Sequence, residues 1–278
     1  LYFRPGTLDE AVQMLAGHGG QILSGGTDFF PALGDRAITG PVVDISGLNA
    51  IKGISLDPAF VRIGGLTTWS QVVAAPLPRC FDALKSAARE IGGIQIQNRG
   101  TVAGNLCNAS PAADSVPPLL VLDAQIELAS AAGKRQIPLA DFIVGNRKTL
   151  RRPDEILTQV IVARGLDDDA SSFLKLGARR YLVISIAMVA AVVKSDASGS
   201  VAEARVAVGS CSATARRLLA LERALVGAPA RIGLGALASL EHLQPLSPID
   251  DVRATAGYRN DAALTLVQRA LDACVGSA

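Results

Sequence analysis

The sequence predicts an α+β fold in two parts, and three observations carry that reading. Helical and strand periodicities alternate from the N-terminus to about residue 165, the stretch Arg164 to Asp169 breaks the pattern with three consecutive aspartates, and beyond it strands come first and helices last. At 278 residues the chain is long for one domain and short for three, so residues 1–165 and 170–278 are taken as two domains.

The elements follow in order. Thr7-x-x-Glu10 is a capping box, and Leu8, Val12 and Leu15 continue it at helical spacing to Gly17. Gln21 to Ser24, Val42 to Ile45 and Phe60 to Ile63 read as short strands, the first ending in the turn Gly25-Gly26 and the third in Gly64-Gly65. Thr68-x-x-Gln71 opens a capped helix closed by Pro76-Leu77-Pro78. Phe81 to Ile91 carries another, which Gly92-Gly93 stops. A polar loop from Thr101 to Asp114 leads to a short helix at Leu119 to Leu122, with Pro117 and Pro118 near its start. Gln125 to Ala129 and Ile156 to Val162 are strands. Phe173 to Ala178, Ser185 to Lys194 and Val201 to Ser210 form a three-stranded antiparallel sheet. Helical stretches over Thr214 to Val226, Arg231 to His242 and Ala254 to Val275 cover one of its faces.

Composition excludes several classes of function. The net charge is +2, Lys and Arg are dispersed, and aromatics make up 4%, which leaves no electrostatic case for nucleic acid. No uninterrupted apolar run approaches the length of a membrane span, and the opening Leu1-Tyr2-Phe3-Arg4-Pro5 lacks a secretory pattern. Cys80, Cys107, Cys211 and Cys274 lie far apart without a C-x-x-C or a neighbouring His. We therefore expect no metal site and reduced thiols in a cytoplasmic setting. His18 and His242 are read as surface or capping residues.

Two segments are rich in small and hydrogen-bonding residues: Ser24-Gly25-Gly26-Thr27-Asp28, and T-V-A-G-N-L-C-N-A-S-P-A-A-D from Thr101 to Asp114. There is no G-x-G-x-x-G opening a helix, and Gly133-Lys134 lacks the rest of a P-loop. Phosphate held by consecutive backbone amides remains, and both segments suit it. Each residue also has an ordinary reading: Gly25-Gly26 as a tight turn, and Asn105, Asn108 and Asp114 as caps or side-chain turns.

The ordered segments I-L-S-G-G-T-D, V-R-I-G-G-L-T-T and T-V-A-G-N-L-C-N-A-S-P-A-A-D resemble the FAD-binding medium subunit of molybdenum hydroxylases, the family of carbon monoxide and xanthine dehydrogenases. F-L-K-L-G-A-R-R, S-I-A-M-V-A-A and D-D-V-R-A-T-A-G-Y-R extend the similarity almost to the C-terminus. The resemblance implies a PCMH-type, vanillyl-alcohol-oxidase-like FAD domain of two α+β subdomains, about 1–55 and 56–165, followed by a C-terminal domain. It implies that Ser24, Gly25, Gly26, Thr27 and Asp28 line one diphosphate loop and that Thr101, Gly104 and Asn105 line the other. Asn108, Ser110 and Asp114 would face the ribityl chain or adenosine, and Leu157 and Lys175 would lie near the flavin ring.

FAD is the one cofactor so implied, since the chain has no cysteine-bearing insertion for a further cluster. No catalytic side chain is expected here. The implied partners are a molybdopterin-bearing large subunit, a [2Fe-2S] small subunit and a terminal electron acceptor, with a dimer of heterotrimers as one arrangement. The alternatives are a stand-alone FAD-dependent reductase of the same broad fold and a scaffold subunit without flavin. From its place between Leu174 and Leu176, Lys175 reads as an outward, solvated strand residue, and the flavin role comes from the resemblance. Tyr181 reads as flavin shield or ordinary packing, Cys107 as a small filler, and Arg179-Arg180 and Arg216-Arg217 as solvated or interfacial pairs.

Overall fold

The computed structural model describes residues 1–276, which divide into two compact units built from interleaved segments. Leu1–Ala75, Gly93–Ala109 and Ala124–Ala163 form the first, while Pro76–Gly92, Ser110–Asp123 and the chain from Arg164 onward form the second. The last two residues of the expected C-terminal domain lie outside the described residues.

In the first unit, β1 (Tyr2–Phe3), β2 (Gln21–Leu23) and β3 (Val42–Asp44) make a parallel sheet in the order β1-β3-β2. The helix Leu8–His18 buries Ala11, Val12 and Leu15 in one cluster with Val43, Ile45 and Leu48. Thr7 caps it as expected, accepting from the Glu10 amide, but the Glu10 carboxylate reaches past Thr7 to accept from the Gly6 amide at 2.8 Å.

The remaining strands of this unit are β4 (Ile54–Leu56), β5 (Phe60–Gly64), β6 (Gln125–Ser130), β7 (Gly133–Pro138), the hairpin β8 (Ile143–Gly145) and β9 (Lys148–Thr149), and β10 (Ile156–Ala163). They form an antiparallel sheet in the order β4-β5-β10-β6-β7, beside the two-stranded hairpin. β10 lies at its centre and buries Ile156, Leu157, Val160, Ile161 and Val162. Thr68 and Gln71 form the complete capping box of the helix Trp69–Ala74.

In the second unit, β11 (Ala170–Leu176), β12 (Ala187–Ser195), β13 (Val201–Gly209) and β14 (Arg216–Arg217) form an antiparallel sheet in that order. The sheet thus has four strands where three were expected. Arg216 and Arg217 pair with Val208 and Ala207 before the helix Leu219–Leu225 begins, so the expected helix from Thr214 starts late.

A second correction concerns its faces. Every position of β12 from Ala187 to Val193 is at most 4% exposed, so the sheet is covered on both sides. Ala187, Val189, Ala191 and Val193 pack with Ala263, Val267 and Ala270 of the long helix Ala256–Val275. Met188 points the other way, where a Cβ on Gly209 would meet both its methyl and the Pro117 ring of the helix Val116–Val121. Alternation puts neighbouring β12 residues on opposite faces, so full burial requires helices on each. The expected helix Arg231 to His242 is instead two 3₁₀ turns, Leu234–Leu237 and Leu240–Leu243.

One backbone contact in the first unit has no room for a side chain. The Gly65 amide donates to the Thr158 carbonyl at 2.7 Å, and a Cβ on Gly65 would lie 2.3 Å from the Leu157 oxygen and 3.1 Å from the Ala103 methyl. Gly65→Ala is therefore expected to destabilise the protein by about 2 kcal/mol, the cost of overpacking a filled interior. Urea denaturation followed through Trp69, the single tryptophan and 1% exposed, measures it.

Candidate functional site

The turn Ser24 to Asp28 leaves β2 with its backbone donors unspent. Among the described residues, no acceptor is bonded to the amides of Gly25, Gly26, Thr27 or Asp28, although Gly26 accepts from the Phe30 amide at 3.2 Å. Gly26 has a φ of 77°, the left-handed conformation that turns successive N–H groups toward one side. A Cβ on Gly25 would lie 1.9 Å from the Arg99 oxygen, so the turn sits directly on the backbone that precedes Thr101. Ser24 to Thr27 are half-buried, and Asp28 is exposed and makes no side-chain cap bond to the helix Phe29–Leu33. Consecutive amides without acceptors, in a turn carrying no cation of its own, suit a polyanion such as a diphosphate.

The second segment differs from its expected form. Thr101 to Asn108 is not a loop: Thr101 caps a helix, Val102–Asn108, and accepts from the Gly104 amide at 3.0 Å. Gly104, Asn105 and Asn108 are poor helix formers, but burial of Val102, Ala103 and Leu106 overrides their propensity. The first-turn donors are also spent. The Val102 amide bonds the Thr67 carbonyl, Ala103 the Gly65 carbonyl and Asn105 the Thr101 carbonyl, at 3.0, 2.9 and 3.0 Å. This segment offers a ligand its side chains and the bare surface of Gly104. The Ser24 and Thr101 hydroxyls lie 3.3 Å apart, and a Cβ on Gly104 would come within 2.9 Å of Thr101 Oγ1 and 3.3 Å of Ser24 Oγ. Ser24, Gly25, Thr101 and Gly104 thus converge.

Asn108 ends the helix, and its side-chain Oδ1 accepts from the Arg147 guanidinium, while Arg147, at a φ of 55°, donates its backbone amide to the Ala109 carbonyl at 2.9 Å. Sequence reasoning missed Arg147; the Gly145-Asn146 dipeptide ahead of it is a turn signal that could have drawn attention to it. Leu157, the second residue of β10, is 2% exposed.

Ser110, Asp114 and Lys175 fall in the second unit. Ser110 builds a local turn, accepting from the Ala112 amide through its hydroxyl and from Ala113 through its carbonyl. Asp114 and Lys175 are each other's partners: Nζ lies 2.6 Å from Oδ2, with both side chains 7% exposed. The Ser185 hydroxyl donates to Oδ1 at 2.5 Å, and Nζ also donates to the Glu90 carbonyl at 3.3 Å. Burial pushes the Asp114 carboxyl above its ordinary range, while Lys175 and Ser185 pull it back. An ammonium has three donors, and among the described residues two of them have acceptors. Sequence reasoning missed Ser185 because a serine at the head of an apolar strand carries no signal by itself.

Tyr181 is 65% exposed beside the Arg180 guanidinium, and Arg179 folds back on the Tyr181 and Leu182 carbonyls. Arg217 is no solvated residue, since it bridges Glu222 and Asp123 at 2.6 Å each.

A family profile described as the FAD-binding domain in molybdopterin dehydrogenase matches residues 1–164, and one described as the CO dehydrogenase flavoprotein C-terminal domain matches residues 172–274. The nicotinate dehydrogenase FAD-subunit of Eubacterium barkeri is 36% identical over 82% of this chain and 80% of its own length. The xanthine dehydrogenase FAD-binding subunit of Escherichia coli O157:H7 is 32% identical over 100% of this chain and 96% of its own. Among solved structures, quinoline 2-oxidoreductase from Pseudomonas putida 86 superposes with a TM-score of 0.91 at 25% identity, covering 99% of this chain and 96% of its own.

Burial raises all four thiols, Cys107 and Cys211 to about 11 and Cys80 and Cys274 to about 12. A thiol at 11 is about one part in a thousand thiolate at pH 8. The native protein is therefore expected to resist a thiol reagent at pH 8 and to release four equivalents once denatured. Rapid labelling of Cys107 in the folded state would contradict its packing role.

Proposed function

The chain belongs to the family of FAD-binding medium subunits of molybdopterin-dependent hydroxylases, and from that membership we propose that it is the electron-collecting subunit of such a complex. It is a flavoprotein subunit of an oxidoreductase. In our reading a molybdopterin-bearing large subunit oxidises the substrate, a [2Fe-2S] small subunit passes electrons to this chain, and the chain hands them to a terminal acceptor. FAD, when bound, supplies a centre that accepts two electrons and can release them singly or as a pair.

The observation that carries the reading is the unspent amide turn at Gly25 to Asp28, pressed against the segment that ends at Thr101. We assign this turn, with Ser24, to the cofactor's diphosphate. The Ser24 and Thr101 hydroxyls and the bare face of Gly104 border it, while the helix amides behind Thr101 hold the scaffold together. Asn105 is assigned with Thr101 and Gly104 to the diphosphate, and Asn108, Ser110 and Asp114 to the ribityl chain or adenosine, with Arg147 fixing the Asn108 side-chain amide. On the resemblance, Lys175, the ion-pair partner of Asp114, is assigned to the flavin end. The chemistry of Lys175 supports this, because its remaining N–H suits an electronegative ring atom and its charge favours a reduced, anionic ring. Residues 1–165 and 170–278 are our proposed domain limits, and four reduced thiols fit a cytoplasmic setting.

Purification of the chain tests the reading. A flavin absorption band, FAD released on denaturation, and copurifying molybdenum and iron–sulfur subunits are expected. A colourless protein that cannot be reconstituted with FAD overturns it. Gly25→Ala sharpens the test, since its methyl must displace the Arg99 carbonyl and disturb the turn. Losing two amide–phosphate bonds of about 1.5 kcal/mol each should weaken FAD binding about 100-fold, with the far-UV spectrum still native. Wild-type affinity in that variant would remove the turn from the site.

A further inference from the structure

The end of the chain reaches the Asp114–Lys175 pair through a continuous set of hydrogen bonds within the second unit. Two consecutive carbonyls at the entrance to β12, Ser185 O and Ile186 O, each receive a guanidinium donor. Arg253 donates to the first at 3.2 Å and Arg259 to the second at 2.5 Å. Both arginines share one carboxylate, Asp251, whose oxygens lie 2.5 Å from Arg253 Nη2 and 2.7 Å from Arg259 Nη2. Asp251 is held well below the usual carboxylate range, chiefly by Arg253, so an ionised carboxylate faces the two guanidinium groups. Arg259 is 0% exposed and also donates to the Ser210 carbonyl at 3.1 Å, which fixes the clamp in the interior.

Ser185 is therefore held through its backbone while its hydroxyl is aimed at Asp114 Oδ1. With Oδ1 taken by Ser185, Oδ2 is the oxygen that meets Lys175. The carboxylate's orientation in turn fixes the ammonium and the direction of its third N–H.

We propose that Ser185 and Arg253 are positioning residues for Lys175: Arg253 clamps the Ser185 backbone, the Ser185 hydroxyl orients Asp114, and Asp114 aims the ammonium at the bound cofactor. The last step rests on the assignment of Lys175 to flavin made above. The first two concern this chain alone. Hydroxyl and guanidinium act through their neighbours, and neither need touch the cofactor.

The groups facing Asp114 set the sign of the test. They are the Lys175 ammonium from β11, the Ser185 hydroxyl from the segment entering β12, and the Glu90 carboxylate at the end of the helix Asp82–Glu90, whose like charge opposes ionisation. Removing the hydroxyl takes away a group that favours the charged carboxylate, so Asp114 must titrate higher. A ¹³C NMR titration of the labelled chain without FAD reads this directly, the Asp114 carboxyl signal being identified by its loss in Asp114→Asn.

Ser185→Ala is expected to raise the midpoint by about one pH unit, a neutral hydrogen bond's worth. Ser185→Thr, which keeps the hydroxyl, should restore the wild-type value. Arg253→Ala should move it the same way by less, and Arg253→Lys is the alternative if that variant does not fold. Unchanged titrations in Ser185→Ala and in the Arg253 variant overturn the proposal, whatever FAD does.

The FAD-loaded chain supplies the second readout. Both variants should keep FAD and shift the flavin reduction potential to a more negative value, because a less fixed cation favours the anionic reduced ring less. A shifted titration with an unchanged potential would retain the clamp and detach Lys175 from the flavin. A chain that binds no FAD would remove the functional assignment, and the titration would then decide the clamp by itself.

Discussion

Backbone meets backbone without an intervening side chain at Gly25 and again at Gly65, and the arrangement of the first unit depends on both meetings. At Gly65 the absent Cβ lets the chain touch the Leu157 carbonyl and the Ala103 methyl together, so the helix Val102–Asn108 is seated against β10. At Gly25 the turn after β2 rests on the Arg99 carbonyl, two residues before the cap that starts the same helix. The helix therefore has a fixed depth and a fixed beginning. Its first amides are spent on Thr67 and Gly65, whereas among the described residues the amides from Gly25 to Asp28 in the neighbouring turn have no acceptor. On the proposed assignment, the turn accepts the anion and the helix is its foundation.

The second unit solves a different problem, the burial of charge. Asp114, Lys175 and Arg259 are each at least nine-tenths buried, and stranding any one of them without a partner would cost about 3–5 kcal/mol. An apolar pair of similar volume would stabilise such an interior at least as well. Their presence is better explained by direction than by stability, since an ion pair with defined hydrogen bonds holds its atoms in one geometry. The buried Nε of Arg259, which has no partner among the described residues, is a small residual cost of that geometry.

Much of this is legible in the sequence, and the failures have identifiable causes. Thr7 and Thr68 mark their helices because caps act locally, and the glycine pairs mark their turns because backbone conformation is local too. Thr101 to Asn108 reads as a loop because Gly104 and the two asparagines are weak helix formers; the burial that overrides them comes from strands distant in sequence. The second cover of the β12 sheet escapes a sequence reading for a similar reason. The helices Asp82–Glu90 and Val116–Val121 precede that sheet in the chain, and nothing in their own periodicity says which surface they bury. Asp114 and Lys175 both stand out, yet separately, since a pair 61 residues apart leaves no spacing to recognise. Ser185 and the paired arginines are invisible as chemistry because their role lies in what they hold.

The double cover of β12 also has a bearing on how the protein is made. Synthesis runs from the N-terminus, so the segments Pro76–Gly92 and Ser110–Asp123 leave the ribosome well before β11 to β13, the strands they cover. Until those strands arrive, the helices that carry the buried residues Leu84, Ala87, Leu119 and Val121 lack the sheet they cover. When β12 does emerge, its run Ala-Met-Val-Ala-Ala-Val-Val is uncharged, rich in β-branched residues and free of proline, the composition of a segment prone to stick to copies of itself. Lys194 stands immediately after that run, where a charge discourages such pairing. The hazard ends only when the sheet is closed from both sides, so truncation within the final helix leaves a chain whose most adhesive strand is covered on one face alone.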